Sequence, residues 1–253
     1  MSDQEAWQLS DSAAVAYERD FVPALFAQWP PVIVEIAQIA PGDRVLDVAC
    51  GTGVLARGVL ARVVPNGNVT GVDLNEGMLA VARSIEPRAD WRQGDAMRLP
   101  FAEGAFDAVV SQFAMMFFPD PVVALREMRR VLAPGGRLAV AVCAPIRETR
   151  GYLLLADILR QHAGADAAAM VEGYFALGDE AKLLQLAQAA GIADGRVLAR
   201  EGWARYTSID ELLRIEIMGS PLAALVDEAA FERVREAARA ALSEFCDSEG
   251  RSR

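Results

Sequence analysis

The sequence predicts an α/β fold built on a doubly wound, mostly parallel β-sheet. From Val45 onward, short apolar runs with strand character alternate with helical patterns, which is typical of parallel strands joined by crossover helices. The first run passes into a loop of small residues, with glycines at positions 51 and 53, and a helical pattern follows at once. A chain of 253 residues with 53% hydrophobic residues is also long enough to bury a large core.

Five predicted strands and the helices between them occupy the first half of the chain. Residues 10–40 have a helical pattern that is interrupted by two prolines, and a Pro-Gly-Asp turn at 41–43 precedes the first strand. Asn75 and Asp120 are predicted to cap helices, because each side chain can accept a hydrogen bond from a free N–H in the first turn. The predicted strands are 44–49, 68–73, 89–93, 106–112 and 137–143.

The regular alternation ends after the fifth strand. Helical patterns dominate from there, and alanine is frequent in the first of them. The predicted elements are two helical pieces around Gly164 within 145–177, a helix capped by Asp179 and ended by Gly191, an edge strand at 197–206, a helix opened by a capping box at 208–211, and a last helix at 228–246.

The charge and composition argue against several classes of function. The formal net charge of −10 disfavours sequence-independent binding of nucleic acid, because such proteins concentrate lysine and arginine. It also disfavours docking on an anionic membrane. The acidic first residues lack the plan of a signal peptide, and no apolar run approaches the ~18 residues of a membrane helix. We therefore predict a cytoplasmic protein with no nucleic-acid partner and no membrane insertion.

Cysteine and histidine usage gives no sign of a metal site. The three cysteines are widely spaced, which fits reduced thiols, and Cys50 reads as a small packing residue in the glycine loop rather than a nucleophile. No CxxC or histidine-rich spacing occurs. His162 is the single histidine of the sequence, and we interpret it as an ordinary residue on a helix surface. The prediction is that no metal is bound.

Four polar residues fall at the ends of predicted strands, where ligands of open α/β sheets bind. Asp47 lies just before the glycine loop, and a buried acid there costs free energy unless a cation or a hydrogen-bond donor meets it. Asp73 ends the second strand and can accept hydrogen bonds from the two hydroxyls of a ribose. Asp95 follows the third strand, where it can accept from an exocyclic amine such as that of adenine or cap a turn. Gln112 ends the fourth strand.

The glycine loop by itself does not distinguish two kinds of nucleotide ligand. Gly51, Gly53 and Ala56, followed by Asp73, also satisfy the loose fingerprint of dinucleotide-binding proteins. The acids separate the two interpretations. Asp47 would repel a pyrophosphate, but it would attract an ammonium or sulfonium group by a few kcal/mol at ~4 Å with partial screening.

Five motifs then follow one another in a fixed order: VLDVACGTG at 45–53, GVDLNEGM at 71–78, GDA at 94–96, FDAVVS at 106–111 and PGG at 134–136. In this order they resemble the class I S-adenosylmethionine-dependent methyltransferases, and most closely the small-molecule branch (methyltransferase type 11) with ubiquinone and menaquinone biosynthesis enzymes. The resemblance is strong over residues 40–145 and weak elsewhere. It implies a Rossmann-like sheet, S-adenosyl-L-methionine as cofactor, S-adenosyl-L-homocysteine as product, and a small apolar or aromatic methyl acceptor.

The resemblance also implies a role for each residue around the cofactor. Asp47 lies near the methionyl amino group, and the backbone at Ala49, Gly51 and Gly53 wraps the methionyl part. Asp73 takes the ribose hydroxyls. The other contacts that it implies are Leu74 and Met78 against the adenine, Asp95, Ala96 and Met97 at the adenine edge, Gln112 or its carbonyl facing the methionyl amine and the reacting methyl, and an aromatic that closes over the cofactor, for which Tyr17 and Phe21 are the candidates.

We expect a single methyltransferase domain over residues 1–253. Its predicted parts are a helical lid at 1–40, a cofactor-binding core at 41–144, a helical insertion that caps the acceptor at 145–177, and the C-terminal part of the fold at 178–253. Phe21, Met116 and Phe117 are the candidate acceptor contacts, and the run 115–118 fits core packing equally well. The sequence places no catalytic base, since in-line transfer from a sulfonium needs mainly alignment and exclusion of water.

The chain departs from this family towards its C-terminal end. The family usually closes its sheet with a final antiparallel strand, and no strand pattern follows the helix predicted at 228–246. An uncovered sheet edge favours association, so we hypothesise a homodimer. Two other functions stay open. One is an NAD(P)-dependent oxidoreductase that shares the glycine loop, although no Tyr-x-x-x-Lys dyad is found; the other is a relative that binds the cofactor without catalysis.

Overall fold

A five-stranded parallel sheet forms the centre of the computed structural model, which describes residues 11–246. The strands are Arg44–Val48 (β1), Asn68–Asp73 (β2), Asp90–Gln93 (β3), Phe106–Gln112 (β4) and Leu132–Ala141 (β5). Their order across the sheet is β3-β2-β1-β4-β5, and every pairing is parallel. The predicted α/β class with a doubly wound, Rossmann-like sheet is confirmed. Residues 1–10, which are the first part of the predicted lid, and residues 247–253 lie outside the described residues.

Helices cover both faces of the sheet. The helices of the described residues, on the sheet and beyond it, are Asp11–Ala16 (α1), Pro30–Ile36 (α2), Val54–Val63 (α3), Glu76–Ile85 (α4), Pro121–Arg130 (α5), Arg150–His162 (α6), Ala165–Gly173 (α7), Glu180–Ala189 (α8), Ile209–Leu213 (α9) and Glu228–Ala241 (α10). The predicted caps form: the side chains of Asn75, Asp120, Asp179 and Ser208 each accept a hydrogen bond from a backbone N–H in the first turn of the helix that follows.

The order of winding reverses at the centre of the sheet, between β1 and β4. The first three strands extend to one side of β1, and β4 returns to its other side. The hydroxyl of Ser111 donates to the carbonyl oxygen of Val48 at 2.8 Å and so ties the carboxyl ends of the two strands together. Open α/β sheets bind ligands in the crevice at such a point. The glycine loop after β1 and Gln112 at the end of β4 lie beside it.

Alternate residues of β1 pack into two different cores. Val45 belongs to the core under α2 and α3, whereas Leu46 and Val48 belong to the core under α5. All three side chains are fully buried, as expected for a parallel strand with helices on both faces.

The helices α6, α7, α9 and α10 share a core of their own. Leu159 and Val171 of the first pair pack with Leu213 and Val234 of the second pair. The two helical pieces predicted around Gly164 are α6 and α7, and Gly164 itself has a φ of +106°. We refer to these four helices as the helical cap. The division of the chain into lid, core and cap stays a prediction.

An unusual N-terminal segment connects the sheet with the helical cap. After α1, a π-helix runs over Tyr17–Phe26, and its Phe21 and Ala24 are buried against Tyr206 and Ile215. The backbone N–H of Arg205 donates to the carbonyl oxygen of Ala24 at 3.0 Å. The segment therefore holds the 204–215 region next to the sheet.

The edge strand predicted for residues 197–206 is wrong. Residues 197–205 have no regular secondary structure, and Tyr206 makes only an isolated bridge. The side chain of Gln28 instead forms hydrogen bonds with both backbone polar groups of Trp203. Its Nε2 donates to the carbonyl oxygen at 2.6 Å, and its Oε1 accepts from the N–H at 2.8 Å. Groups that are bonded to a side chain are not available to a β-ladder.

Other boundaries differ by a few residues. The fifth strand begins five residues before the predicted 137–143 and ends at Ala141, and the last helix ends at Ala241 rather than 246. Within residues 11–246, no strand pairs with the free side of β5. In the same range, no helix is both long enough and apolar enough to span a bilayer.

Candidate functional site

The loop after β1 has a backbone that few residue types adopt. Ala49, Gly51 and Gly53 have φ values of +55°, +55° and +86°. Gly53 is the N-cap of α3, and a Cβ on it would stand 2.4 Å from Cη2 of Trp91. A Cβ on Gly51 would meet only the Tyr17 ring, at 4.0 Å. Packing on Trp91 therefore requires the second glycine, while the first faces the space under Tyr17.

Asp47 is buried at the end of β1. The residue is 1% exposed, and its Oδ2 has no hydrogen-bond partner among the described residues. Burial raises the pKa of Asp47 from 3.8 to about 8; a backbone hydrogen bond from Ala56 opposes the shift, and the charge of Asp73 adds to it. A cation or a hydrogen-bond donor near this carboxyl group would relieve the cost of its burial.

Asp73 joins the end of β2 to the glycine loop. Its Oδ2 accepts from the N–H of Gly51, and its Oδ1 accepts from the N–H of Asn75, both at 2.8 Å. Burial raises the pKa of Asp73, and the backbone hydrogen bonds oppose that shift. Each carboxylate oxygen can accept a second hydrogen bond, so this arrangement leaves capacity for a pair of ribose hydroxyls.

Asp95 and Gln112 extend the polar edge to both sides. Oδ1 of Asp95 accepts from the N–H of Met97 at 2.8 Å, so one of its oxygens caps a local turn and the other remains for a ligand. Nε2 of Gln112 donates to the carbonyl oxygen of Phe26 at 3.3 Å. Oε1 of Gln112 is buried and has no hydrogen-bond partner among the described residues. A donor on a ligand could satisfy it.

Tyr17 covers the glycine loop from the N-terminal segment. Its ring stacks on the rings of Phe21 and Phe26, with centroid distances of 5.6 Å in both cases. The neighbouring Glu18 forms a 2.7 Å ion pair with Arg57 on α3, and this pair ties the segment to the helix that follows the loop. Burial raises the pKa of the Tyr17 hydroxyl, with further contributions from nearby carboxylates. The predicted aromatic cover thus stands over the loop.

These residues border a large cleft of about 1830 Å³, which extends from the carboxyl edge of the sheet along β5 and α8 to the segment at 191–204. Its wall includes ten of the twelve predicted cofactor contacts and all three acceptor candidates: Tyr17, Ala49, Gly51, Asp73, Leu74, Met78, Asp95, Ala96, Met97, Gln112, Phe21, Met116 and Phe117. The two exceptions, Asp47 and Gly53, are not part of the wall. Asp47 would act on a ligand from behind the loop.

The run after β4 is divided between the core and the cleft wall. Met115 is 2% exposed and belongs to the core, whereas Phe117 is 36% exposed and packs edge-on against Tyr174 at 5.9 Å. His162 is the last residue of α6 and is not on the cleft wall. Among the described residues, no group of three or more histidine, cysteine or acidic side chains is placed to hold a metal ion.

A second polar cluster lies at the cleft wall, and the sequence pattern did not predict it. Glu216 is buried in a π-helical turn, Arg214–Met218, and accepts hydrogen bonds from the hydroxyls of Tyr152 and Tyr206. One local signal was available, since this acid stands between two isoleucines in a helical pattern. Its partners Tyr152 and Tyr206 lie 64 and 10 positions away, so the local pattern around Glu216 does not indicate them.

The geometry defines a nucleoside-type site on an α/β domain. Acids follow three neighbouring strands, as recognition of a ribose and a base requires. The unpartnered oxygens of Asp47 and Gln112 suit a ligand with donors or positive charge. A pyrophosphate would instead place like charge beside the buried Asp47 and the partly buried Asp73.

The central segment also matches a known family. Residues 46–140 match the family model described as a methyltransferase domain. Together with the parallel sheet and its order, this match identifies the segment as a class I methyltransferase domain, as the motif resemblance predicts.

Curated relatives match the same part of the chain. The demethylmenaquinone methyltransferase of Listeria welshimeri is 39% identical over 120 residues, which are 46% of this chain and 51% of that protein. The enzyme of the same name from Symbiobacterium thermophilum is 41% identical over 116 residues, or 44% of this chain and 46% of that protein. The chain thus spans about half the length of the curated relatives it matches.

Solved structures share the fold over a larger part of the chain. A proposed methyltransferase of Bacillus halodurans has a TM-score of 0.50 and 26% identity, and the match covers 64% of this chain and 68% of that one. A proposed S-adenosylmethionine-dependent methyltransferase of Methanococcus maripaludis has a TM-score of 0.58, with coverage of 78% and 91%. At 17% identity, this second likeness supports the fold alone.

Proposed function

We propose that this protein transfers a methyl group from S-adenosyl-L-methionine to a small molecule and releases S-adenosyl-L-homocysteine. The observation that carries the proposal is a pair of acids at the carboxyl ends of neighbouring strands, the buried Asp47 and the partly buried Asp73. A cationic ligand with ribose hydroxyls would relieve the cost of removing these two acids from water. The family match over 46–140 and the names of the relatives support the same activity.

The residues of the chain would act mainly by positioning and shielding. When bound, S-adenosylmethionine supplies an electrophilic methyl group on a positively charged sulfur. Asp73 would accept the ribose hydroxyls, and Asp95 with the backbone of Ala96 would read the adenine edge. Tyr17 and Phe21 would exclude water above the glycine loop. Alignment of donor and acceptor accounts for a large part of the rate in such displacements.

The acceptor would bind in the same cleft as the cofactor. We propose that Phe21, Met116 and Phe117 contact it, because all three line the cleft and present apolar surface. A small, apolar or aromatic metabolite suits such a wall. The net charge of −10 supports a small molecule rather than a nucleic acid.

The cofactor assignment is tested at Asp73. Asp73→Ala is expected to weaken the binding of S-adenosylhomocysteine by about 2 kcal/mol or more, since it removes the acceptor of the ribose hydroxyls. Isothermal titration calorimetry measures the effect. Asp73→Asn keeps the volume and one acceptor oxygen and should lose less. Asp90→Ala, on the exposed start of β3, is the matched control and should bind as the wild type does.

The same titration separates the alternatives. Affinity for NAD(P) with none for S-adenosylhomocysteine would identify the oxidoreductase interpretation and end the proposal. Binding of the cofactor without methyl transfer from labelled donor to any acceptor of a broad panel would favour a non-catalytic relative.

We further propose a homodimer in which the free side of β5 is covered. An exposed sheet edge carries unpaired N–H and carbonyl groups that readily pair with another chain. Light scattering at working concentrations is expected to give about twice the chain mass of 27.2 kDa. A monomer mass over the whole concentration range would contradict this expectation.

A further inference from the structure

A buried acid that the cofactor site does not use lies on the cleft wall. Glu216 is 3% exposed, and its Oε1 accepts a hydrogen bond from the hydroxyl of Tyr152 at 2.6 Å and another from that of Tyr206. The two hydroxyl oxygens are 3.2 Å apart. Both bonds end on the same carboxyl oxygen, which leaves Oε2 as the oxygen available to a ligand.

No basic group compensates this acid in the described part of the chain. The neighbouring Arg214 pairs with Asp20 at 3.0 Å instead. Burial raises the pKa of Glu216, and the hydrogen bonds from Tyr152 and Tyr206 oppose that shift. Two other ionisable groups lie close enough to interact with its charge, the Tyr174 hydroxyl and the Cys143 thiol. Burial raises the pKa of each, and the negative charge of Glu216 raises it further. The groups around Glu216 are therefore tyrosine hydroxyls and a thiol, and none of the described residues pairs with it as a cation.

Aromatic side chains connect this acid with both parts of the proposed site. Phe21 stacks on Tyr17 above the glycine loop, and its Cε2 lies 3.0 Å from where a Cβ on Gly219 would stand, three residues after Glu216. On another side, Tyr174 meets Phe117, the acceptor candidate beyond β4, at 5.9 Å. Glu216 thus belongs to the acceptor end of the same cleft.

We propose that Glu216, held in place by Tyr152 and Tyr206, binds the nucleophilic N–H or O–H group of the methyl acceptor and takes up its proton. The inference rests on the proposed methyl transfer and narrows the acceptor to a small aromatic amine-bearing or hydroxyl-bearing molecule. A buried carboxylate with no ion-pair partner is suited to receive either kind of donor, because the donor supplies the missing hydrogen bond or charge. The rings of Tyr152, Tyr174 and Phe175 provide flat apolar surface beside it.

The proposed step balances without any further reactant. The N–H or O–H bond of the acceptor breaks, its proton passes to Oε2 of Glu216, and the electron pair stays on the nitrogen or oxygen. That pair forms the new bond to the methyl carbon, while the carbon–sulfur pair returns to the sulfur, which becomes neutral. The proton leaves Glu216 for solvent after the methylated product departs.

The first test measures binding and needs no knowledge of the true acceptor. Three probes of similar size are compared by thermal shift, with and without S-adenosylhomocysteine: benzylamine, p-cresol and toluene. The wild type is expected to bind at least one of the two donor probes tenfold more tightly than toluene, and the better probe indicates an amine or a hydroxyl acceptor. Glu216→Gln should lose that preference, while the exposed Glu236→Gln should keep it.

Two outcomes overturn the proposal: a wild type that binds neither donor probe better than toluene, and a preference that survives in Glu216→Gln. If Glu216→Gln does not fold, Tyr152→Phe and Tyr206→Phe take its place, since each keeps the carboxylate and removes one of its positioning groups. Each should weaken the donor preference by about threefold, and no change in either variant would also overturn it.

A second test separates this inference from the function on which it rests. Glu216→Gln should bind S-adenosylhomocysteine as the wild type does, because Glu216 is not among the proposed cofactor contacts. With an acceptor that turns over, the variant should lower kcat/KM by about 10²-fold or more and flatten the fall of the rate at low pH. If the wild type does not bind S-adenosylhomocysteine, the methyltransferase proposal is wrong. If it binds normally but the variant has unchanged kinetics and an unchanged pH profile, only the proposed role of Glu216 is wrong.

Discussion

Asp47→Asn is expected to stabilise the ligand-free protein and, at the same time, to weaken its binding of S-adenosylmethionine. The carboxyl group is buried, and its Oδ2 has no partner among the described residues. Asparagine has nearly the same shape and carries no charge, so it removes the cost of burying one. It also removes the negative charge that would attract the methionyl ammonium group. A residue that costs stability and serves binding is typical of functional sites.

The stability effect has a defined dependence on pH. The pKa of Asp47 is about 8 in the folded chain and 3.8 without the influence of the fold, so between these values the folded state holds a proton that the unfolded state has released. This contribution to stability is fully present below pH 4 and is lost as the pH rises through about 8. From pH 5 to pH 8, the loss attributable to this group is roughly 4 kcal/mol, at 1.36 kcal/mol for each pH unit over which the two states differ by one proton.

Urea denaturation of the ligand-free protein at pH 5, 6.5 and 8 measures this contribution. The wild type should lose stability across the series, and Asp47→Asn should lose distinctly less. Asp107→Asn is the matched control, because its ion pair with Arg44 lowers the pKa of Asp107 to about 2, far below this window. That variant should differ from the wild type by the same amount at all three values. Parallel curves for the wild type and Asp47→Asn would show that the acid is not buried as described.

Binding of S-adenosylmethionine by Asp47→Asn supplies the other half of the prediction. A cation near Asp47 favours the charged form, so binding to the wild type near pH 7 should release a proton. Calorimetry in two buffers with different ionisation enthalpies detects this release, and Asp47→Asn should not show it. Equal proton release in the two proteins would place the cationic group of the ligand away from Asp47.

The central sheet and its acids could be predicted because their signals are local. The strands β1, β2 and β4 are mostly apolar runs bounded by turn residues, Asp73 ends its strand, and Asp95 lies two residues after β3. In a parallel sheet the carboxyl ends of all strands lie at one edge, so the meeting of these side chains follows from strand order alone. The caps at Asn75 and Ser208 depend on the next three residues only.

What could not be predicted depends on contacts between distant parts of the chain. Residues 197–206 have the pattern of a strand, but Gln28, 175 positions away from Trp203, bonds the backbone that a strand would need. Glu216 finds its hydroxyl partners in α6 and at position 206. Neither arrangement leaves a mark in the local sequence pattern, because tertiary packing decides it.

The two glycines of the loop show the same limit, and they lead to the second large effect. In the sequence they look alike, each explained by a tight turn and a close ligand. In the structure Gly53 is pressed against Trp91, whose indole N–H is itself fixed by a 2.8 Å hydrogen bond to the carbonyl oxygen of Glu86. Gly51 has open space up to Tyr17 at 4.0 Å. The structure therefore assigns packing to one glycine and the cleft to the other.

Gly53→Ala is accordingly expected to destabilise the protein by about 2–5 kcal/mol. A Cβ 2.4 Å from Trp91 forces that fixed side chain to move, which typically costs 1–3 kcal/mol, and a φ of +86° adds about 1–2 kcal/mol for an L-residue. Gly51→Ala should cost only the strain of an L-residue at positive φ, about 1 kcal/mol of folding stability. Among the folded molecules, however, it should weaken the binding of S-adenosylhomocysteine more than Gly53→Ala does. Urea denaturation measures the stability of both variants, and calorimetry measures their binding of S-adenosylhomocysteine. The two variants should rank in opposite order in the two measurements. If Gly51→Ala is the less stable protein, or if Gly53→Ala is the weaker binder, then the division of roles between the two glycines is wrong, and the loop contacts its ligand through the turn that is packed on Trp91.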